Sequence, residues 1–184
     1  MSNWVRLGDI SSITEGYKQK MSSEYVARGI PFLRSLNIRP FRVILDDLKF
    51  VTQEFSTRLN KSMLQKNDVL VVRTGIPGTS CVVPDSLVGA NCSDLLILRV
   101  DKTRANPLYV SAFINVLGKA QVNNSISGAV QKHLYLHAAN DLRILLPRKS
   151  EQDSIAKLVS DLNEKIETNN QVNDNLVDSL EIVA

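Results

Sequence analysis

His133 and His137 stand four residues apart in the stretch HLYLH, a spacing that could bring two imidazoles to one metal ion. A zinc-hydrolase helix also needs a glutamate directly after the first histidine, and Leu134 occupies that position. Cys81 and Cys92 lie in apolar runs, without the short spacing of metal ligands. We therefore predict no metal site, and we predict that both cysteines are buried free thiols.

Catalytic motifs are the next candidates. Asp47 and Lys49 in DDLKF form a carboxylate-x-lysine fragment of the kind that metal-dependent nucleases use, but so short a string arises by chance and favours solvated strand ends. The sequence contains no G-x-x-x-x-G-K-[ST] phosphate loop, no G-x-G-x-x-G turn and no G-x-S-x-G nucleophile elbow. We therefore expect a non-catalytic protein that needs no cofactor. The alternative in which the protein is an enzyme is a small metal-dependent nuclease.

Basic and amide side chains concentrate in four segments that also contain glycine or proline: GYKQK, LRSLNIRPFR, RTGIPG and SGAVQKH. Arginine can form two hydrogen bonds to guanine, asparagine and glutamine can do so to adenine, and lysine, serine and threonine bind phosphates. For any one residue a solvated surface is the alternative, but together the segments predict a DNA-binding surface. The predicted DNA-binding residues are Lys18, Gln19, Lys20, Arg34, Ser35, Asn37, Arg39, Arg73, Thr74, Gln131, Lys132 and His133. The same segments also contain Tyr17, Arg42 and Ser127.

The elements that must position these segments are short strands and two helices. Apolar runs rich in Val, Ile and Leu, such as DVLVVRTG and DLLILRV, favour strands. NPLYVSAFINVLGKA predicts a helix with Asn106 as N-cap and Pro107 at its first position. TQEFSTRLNKSML predicts a second helix. The apolar face predicted for the first helix consists of Tyr109, Ala112, Phe113, Val116 and Leu117. These elements predict a mixed α/β body over residues 1–149.

The two signs of charge are separated along the chain. Residues 1–150 carry 20 Lys and Arg against 11 Asp and Glu, a net charge of +9, whereas residues 151–184 carry 2 against 8, a net charge of −6. A basic body favours a polyanion partner, above all nucleic acid. No apolar run approaches the roughly 18 to 20 residues that a membrane span needs. We expect a soluble, cytoplasmic protein that does not contact a membrane.

Residues 150–184 predict one long helix, capped by Ser150 and carrying Glu151 and Asp153 in its first turn. Ile155 and Leu158 are expected to pack the start of this helix on the body. Further along, residues at alternating spacings of three and four form a coiled-coil seam, which we call the seam. The seam consists of Val159, Leu162, Ile166, Asn169, Asn173, Leu176 and Leu180, followed by Val183.

The seam predicts pairing with another helix. A rod of about 33 residues is about 50 Å long, more than a body of this size easily covers. An amphipathic helix lying along its own body is the alternative. Asn169 and Asn173 would cost stability in a paired seam but fix its register and partner. The spacing is compatible with parallel and antiparallel pairing.

The chain resembles half of a DNA specificity subunit of a type I restriction-modification system. WVRLGDISSITEG is similar to the opening of that family, GIPFLRSLNI to its Gly-x-Pro-Phe-x-Arg segment, and LQKNDVLVVRTGIPG to its Gly-Asp and Thr-Gly-x-x-Gly segment. SGAVQKHLYLHAANDLRILLPRKSEQDSIAKLVSDLNEKI resembles its junction into a long helix. One departure is Asn67, which stands where the family has glycine before Asp68; asparagine also tolerates a left-handed backbone, so the turn is expected to persist.

The resemblance implies a target-recognition domain over 1–149 and a spacer helix over 150–184. The family's usual subunit has two of each, with its helices packed antiparallel, so a chain with one of each is expected to form a homodimer through its helix. Its partners would be double-stranded DNA, a methyltransferase subunit and, through the complex, a restriction subunit. A stand-alone homodimeric DNA-binding regulator is the main alternative.

Overall fold

The computed structural model describes residues 3–125 and 133–181, which form a body of short strands and helices followed by one long helix. The strands are β1 (Asn3–Arg6), β2 (Ser11–Glu15), β3 (Tyr25–Val26), β4 (Ile30–Leu33), β5 (Ile38–Arg39), β6 (Arg42–Val43), β7 (Lys49–Val51), β8 (Val69–Val72), β9 (Ser80–Val82), β10 (Asn91–Cys92), β11 (Leu95–Val100) and β12 (Arg143–Leu146). The helices are α1 (Gln53–Arg58), α2 (Pro107–Val116), α3 (Lys119–Ser125), α4 (Leu136–Asp141) and α5 (Lys149–Glu181). The predicted mixed α/β class with a long C-terminal helix is confirmed.

An antiparallel sheet in the order β2-β11-β8-β9 forms the middle layer of the body. Its inner strands are buried on both faces. In β8, Val69 and Val71 belong to one hydrophobic cluster, while Leu70 and Val72 belong to another. Because successive side chains of a strand point to opposite faces, this sheet needs a covering layer on each side. That requirement explains why the sequence here is continuously apolar rather than alternating.

Helix α2 covers one face of this sheet, with Val110 and Phe113 in the first cluster. It begins as predicted: Asn106 Oδ1 accepts hydrogen bonds from the backbone N–H groups of Leu108 (2.9 Å) and Tyr109 (3.3 Å). The prediction for TQEFSTRLNKSML was too long. Helix α1 is capped by Thr52 and ends at Arg58, and a separate 3₁₀ turn follows over Asn60–Ser62.

A second sheet in the order β10-β4-β7-β3 covers the other face, and its β4 and β10 are parallel. Cys81 and Cys92 lie in the core between the two sheets and are free thiols, as predicted. Burial raises the pKa of Cys81 to about 12 and raises that of Cys92 as well. The turn before β8 is also as expected, since Asn67 adopts a left-handed backbone (φ 69°).

Two details of the junction with α5 differ from the prediction. The helix begins at Lys149, and Glu151 Oε2 accepts from the backbone N–H of Arg148 (2.9 Å), so Ser150 lies inside the first turn and is not the cap. Ile155 and Leu158 do not pack on the body, being 41% and 59% exposed. The buried positions are instead Gln152 and Ala156, because the contact side of the helix is rotated by about one residue, roughly 100°.

No helix in residues 3–125 and 133–181 combines the length and apolar character that crossing a membrane requires.

Candidate nucleic-acid interface

Glu15, at the end of β2, joins the first and third predicted loops. Its carboxylate is only 14% exposed and forms an ion pair with Lys18. Its other oxygen lies 3.8 Å from Arg73 Nε, within ion-pair range but too far for a hydrogen bond. The loops around residues 16–20 and 73–78 therefore lie side by side. The sequence gave no reason to select Glu15, because an acidic residue is not expected on a DNA-binding face.

His133, the last residue of the fourth segment and its only described one, contacts Thr74 of the third loop. Thr74 Oγ1 lies 2.8 Å from His133 Nδ1, and the backbone N–H of Leu134 donates to Arg73 O (2.9 Å). The guanidinium of Arg73 lies 5.9 Å from the ring centre of Tyr135, within the range of a cation–π contact. Arg73 is thus held between a carboxylate and an aromatic ring, and a residue so constrained loses little freedom on binding.

An aromatic row, consisting of His133, Tyr135 and His137, runs along the edge of these loops. The ring of Tyr135 lies 5.9 Å from each neighbouring imidazole and is nearly parallel to that of His137. His133 and Tyr135 precede α4, whereas His137 lies in its first turn, so the row combines an extended segment with the start of a helix and does not follow from alternation along a strand. His133 was predicted to bind DNA and His137 was considered only as a metal ligand, while Tyr135 was not among the candidates. Among the described residues, no group of three or more His, Cys, Asp or Glu side chains could hold a metal ion.

The second loop is shaped by Asn37, which is fully buried. Its Oδ1 accepts from Arg34 N (3.0 Å), and its Nδ2 donates to Ile44 O (3.1 Å) and Asp46 O (3.2 Å). These bonds close the segment from residue 34 to residue 46. Asn37 is therefore removed from the predicted contact surface, because its amide is already used inside the protein. It holds the loop that carries the neighbouring predicted residues.

Arg34 is fixed by Asp47. Its Nη2 donates to Asp47 O (2.7 Å) and Asp47 Oδ2 (2.8 Å), while Lys49 binds the other carboxylate oxygen. The bond from Lys49, and after it the bond from Arg34, holds the pKa of the Asp47 carboxyl below its ordinary value. The carboxylate of DDLKF is thus occupied by two cations and orients Arg34, which weakens the nuclease interpretation.

Ser35 lies beside the third loop. A Cβ built on Gly75 would stand 4.0 Å from Ser35 Oγ. Each of these two loops also presents an apolar tip that sequence analysis did not select: Leu36 is 64% exposed and Ile76 is 74% exposed. The guanidinium of Arg39 folds back on its own turn, donating to Leu36 O and Ile38 O.

Two arginines in the cluster keep a free donor. Nε of Arg34 and Nε of Arg73 are buried and have no hydrogen-bond partner among the described residues. Native proteins seldom leave buried donors unsatisfied without a reason, and a bound ligand is one such reason.

The first loop borders a pocket of about 320 Å³, whose walls also include Arg58 at the end of helix α1 and Lys61 in the 3₁₀ turn that follows it. Gln19 accepts a hydrogen bond from the Tyr17 hydroxyl (2.9 Å), and Lys20 is exposed. Arg58 and Lys61 add two cations to this side of the cluster that sequence analysis did not select. Of the remaining predictions, Gln131 and Lys132, like Ser127, lie outside the described residues. Arg42 is not part of this cluster, since it pairs with Glu167 of α5.

Helix α5 faces the body with one side and solvent with another. Gln152 and Ala156 are buried, and Asn163 and Glu167 continue the same side half-buried. The seam begins on the body side, where Val159 is half-buried, and then turns toward solvent. Of its later apolar members, Leu162 is 52% exposed, Ile166 54% and Leu176 57%, while the side chain of Leu180 lies outside the described part of the helix. The described seam beyond Val159 is therefore not buried against its own body.

Gln152 fixes the direction in which the helix leaves the body. Its Oε1 accepts from the backbone N–H of Asn106 (2.9 Å), and its Nε2 donates to Arg104 O (3.2 Å) and Pro147 O (3.0 Å). Asn106 also donates to Asp153 Oδ1 (2.7 Å). One buried amide thus ties the root of the helix to two backbone segments, the loop before α2 and the residue that follows β12. The pair of Arg42 and Glu167 provides a second tether about 22 Å further along, at 1.5 Å per residue.

An apolar groove of about 720 Å³ lies beside this junction, between α2 and the first turns of α5. Val116 and Leu117, both 65% exposed, form one wall, and Ile155 and Val159 form the other. The predicted apolar face of α2 is therefore divided, because Tyr109, Ala112 and Phe113 are buried while its last two members border the groove.

Comparison with known proteins gives a consistent result. The family model described as the type I restriction modification DNA specificity domain matches residues 1–177. No curated protein sequence matches the chain. Several solved structures share the fold, among them the following three. A chain from work on complex assembly and conformational transition of the type I R-M system has 17% identity and a TM-score of 0.68, with 91% of this chain and 39% of that chain covered.

The other two are an HsdS subunit from Thermoanaerobacter tengcongensis and an S subunit from M. genitalium. The former has 17% identity and a TM-score of 0.64, covering 91% of this chain and 38% of that one. The latter has 14% identity and a TM-score of 0.62, covering 91% and 41%. The chain thus spans about two fifths of the length of each of these proteins.

Proposed function

Because the chain belongs to the type I restriction modification DNA specificity domain family, we propose that it is a non-catalytic subunit that reads one half of a bipartite DNA site. The observation that carries this proposal is the cluster formed by the first three loops and His133. Ion pairs and hydrogen bonds of Glu15, Arg73 and Thr74 bring basic, amide and aromatic side chains to one surface. The body that carries this surface has a net charge of +9, which suits a polyanion.

Within the surface, Arg34 and Arg73 are the base-reading residues. Each is held by a carboxylate and retains a donor, so each is oriented before DNA arrives. Lys18 and Lys20 contact phosphates, as flexible point charges do. Leu36 and Ile76 meet thymine methyl groups, because an exposed apolar side chain in the major groove has that partner.

The second part of the proposal concerns assembly. Two copies pair through the seam of α5 and present two recognition surfaces to DNA in the cytoplasm. The methyltransferase subunit joins this pair, and the restriction subunit joins through the complex; the chemistry belongs to those partners. A twofold dimer reads an interrupted palindrome. The exposed seam and the fixed helix root support this assembly, because a spacer must be both available and rigid.

Binding to duplex DNA by arginine variants tests the recognition role. We expect Arg73→Ala to weaken binding to a selected site by about 1 to 3 kcal/mol and to relax the preference at one base position. Arg73→Lys keeps the positive charge but loses the paired N–H donors of the guanidinium. It should therefore keep most of the non-specific DNA binding and lose the preference for one base. Lys102→Ala removes an equal charge outside the four loops and serves as the control. Unchanged affinity and selectivity in Arg73→Ala would remove this residue from the site.

A further inference from the structure

An exposed aspartate stands beside Arg34 on the otherwise basic surface. The side chain of Asp47 is 63% exposed, although its Oδ2 accepts from Arg34 Nη2 (2.8 Å) and its other oxygen binds Lys49. A carboxylate offers about four lone-pair sites, of which these two cations use only a part. Asp47 can therefore accept a further hydrogen bond from a donor outside the protein.

Asp47 belongs to the same surface as the third loop. Burial has the largest effect on the Tyr25 hydroxyl and raises its pKa. The charges of Arg34, Asp94 and Asp47 act on this hydroxyl too, so these charges lie near one another. The backbone carbonyl of Asp94 in turn accepts from the backbone N–H of Arg73 (3.1 Å). The pair of Arg34 and Asp47 therefore lies close to the segment that carries Arg73.

The partner of this carboxylate on DNA must be a hydrogen-bond donor. Phosphates repel it, because like charges repel. The bonds from Lys49 and Arg34 hold the pKa of the Asp47 carboxyl below its ordinary value, so the group stays ionised and only accepts. The donors on DNA bases are the amino groups of cytosine and adenine in the major groove and the N2 amino group of guanine in the minor groove.

The order of groups along a base pair selects among these donors. Arg34 Nη1 forms no hydrogen bond to the described residues and remains a donor next to the carboxylate. In the major groove a G·C pair presents two acceptors on guanine and then the N4 amino group of cytosine, which matches a donor beside an acceptor. In the major groove of A·T, as in the minor groove of G·C, the donor lies between two acceptors. The second carboxylate oxygen would then face an acceptor and be repelled.

Building on the DNA recognition of the proposed function, we propose that Arg34 and Asp47 together read one G·C base pair from the major groove. Arg34 Nη1 donates to guanine, and the Asp47 carboxylate accepts from the N4 amino group of cytosine. The arginine supplies attraction, and the carboxylate rejects base pairs that present an acceptor to it. Asp47 is thus a specificity-determining residue that weakens binding to most sequences and finds its partner on one kind of base pair.

Selection of bound sequences from random DNA duplexes tests this pair. The full chain is used with and without its proposed methyltransferase subunit. Asp47→Asn removes the charge and supplies an amide that donates as well as accepts; asparagine tolerates the left-handed backbone of this position (φ 51°), so the turn should persist. Arg34→Lys keeps the charge of the arginine. Asp46→Asn is the matched control, because Asp46 is exposed in the same turn and its carboxylate forms no ion pair with the described residues.

We expect the unaltered chain to prefer G·C at one position by about 5- to 150-fold, the range that a mismatched base pair costs. Asp47→Asn should accept A·T at that position, and it should bind unrelated duplexes about 2- to 5-fold more tightly because a repelling charge is gone. Arg34→Lys should lose the preference at the same position. Asp46→Asn should also bind unrelated duplexes more tightly but keep the preference.

The contrary outcomes are distinct. An unchanged preference in Asp47→Asn would overturn the role of the carboxylate. Losses at two different positions in Asp47→Asn and Arg34→Lys would show that the side chains read separate base pairs. Inosine in place of guanine removes only the minor-groove amino group, so weaker binding to that duplex would contradict reading from the major groove. If the unaltered chain selects a site that Asp47→Asn selects equally, DNA recognition stands and only this pair fails; if the unaltered chain selects no site, both fail.

Discussion

Replacing Gln152 by alanine tests whether the direction of the spacer helix is set by one buried amide. Gln152 is 1% exposed and makes three hydrogen bonds to backbone groups, two in the loop before α2 (Arg104 and Asn106) and one at Pro147 after β12. Truncation leaves one N–H and two carbonyl groups without these partners. Each unsatisfied buried polar group costs about 1 to 3 kcal/mol, and water entering the new space recovers part of that cost. We expect a net loss of about 2 to 4 kcal/mol in the free energy of unfolding.

Thermal and denaturant unfolding followed by circular dichroism measure this loss, and the expected fall in Tm is roughly 5 to 15 °C for a chain of this size. Ser154→Ala is the matched control. Ser154 is exposed on the next turn and bonds only to the helix itself (Ser150 O, 2.9 Å), so its loss should stay within about 0.5 kcal/mol.

A second substitution separates hydrogen bonding from packing. Gln152→Glu keeps the size of the side chain and the acceptor for Asn106, but it sets a carboxylate against the carbonyls of Arg104 and Pro147. Burial beside carbonyls should raise the pKa of this carboxyl, so stability should be partly restored as pH falls and the carboxyl becomes protonated. If Gln152→Ala melts within about 1 °C of the unaltered chain, the amide does not hold the junction.

Two further predictions concern the loops and the core. Gly78→Ala should weaken both folding and DNA binding, because its backbone is left-handed (φ 85°) and a Cβ would lie 2.8 Å from a valine of α3. Gly89→Ala is the matched control, because Gly89 has the same left-handed backbone (φ 88°) but an added Cβ would meet nothing within 4 Å. This variant should lose only about 1 kcal/mol of unfolding free energy and bind DNA unchanged. Equal effects in the two variants would show that the contact with the valine of α3 is not what destabilises Gly78→Ala. Cys81 and Cys92 should resist a thiol reagent in the native protein and react fully in denaturant, because burial raises both thiol pKa values; rapid native labelling would show that the core between the sheets opens.

Structural elements could be predicted from the sequence where a single local interaction determines them. Asn106 and Pro107 start α2 because a side-chain cap and a fixed φ act within a single turn. The continuous apolar runs of β8 and β11 became strands buried on both faces. The exposed seam of α5 also followed from periodicity alone.

Features that depend on distant partners could not be predicted in this way. Asn37 has the residue type of a base-reading side chain, and only the position of Ile44 and Asp46 shows that its amide is already used. Glu15 acquires its role from Arg73, which is far along the chain. The side of α5 that contacts the body was predicted about one residue away from its actual position. Periodicity identifies the apolar stripe of a helix, and in α5 most of that stripe faces away from the body.

Selection of bound sequences from random DNA duplexes tests the central claim most directly. The full chain is purified with and without its proposed methyltransferase subunit, and the bound duplexes are sequenced. We expect an interrupted palindrome with one preferred spacing, enriched when the methyltransferase subunit is present. Enrichment of the same site by this chain alone would favour a stand-alone regulator, and no enrichment under either condition would contradict a role in DNA recognition.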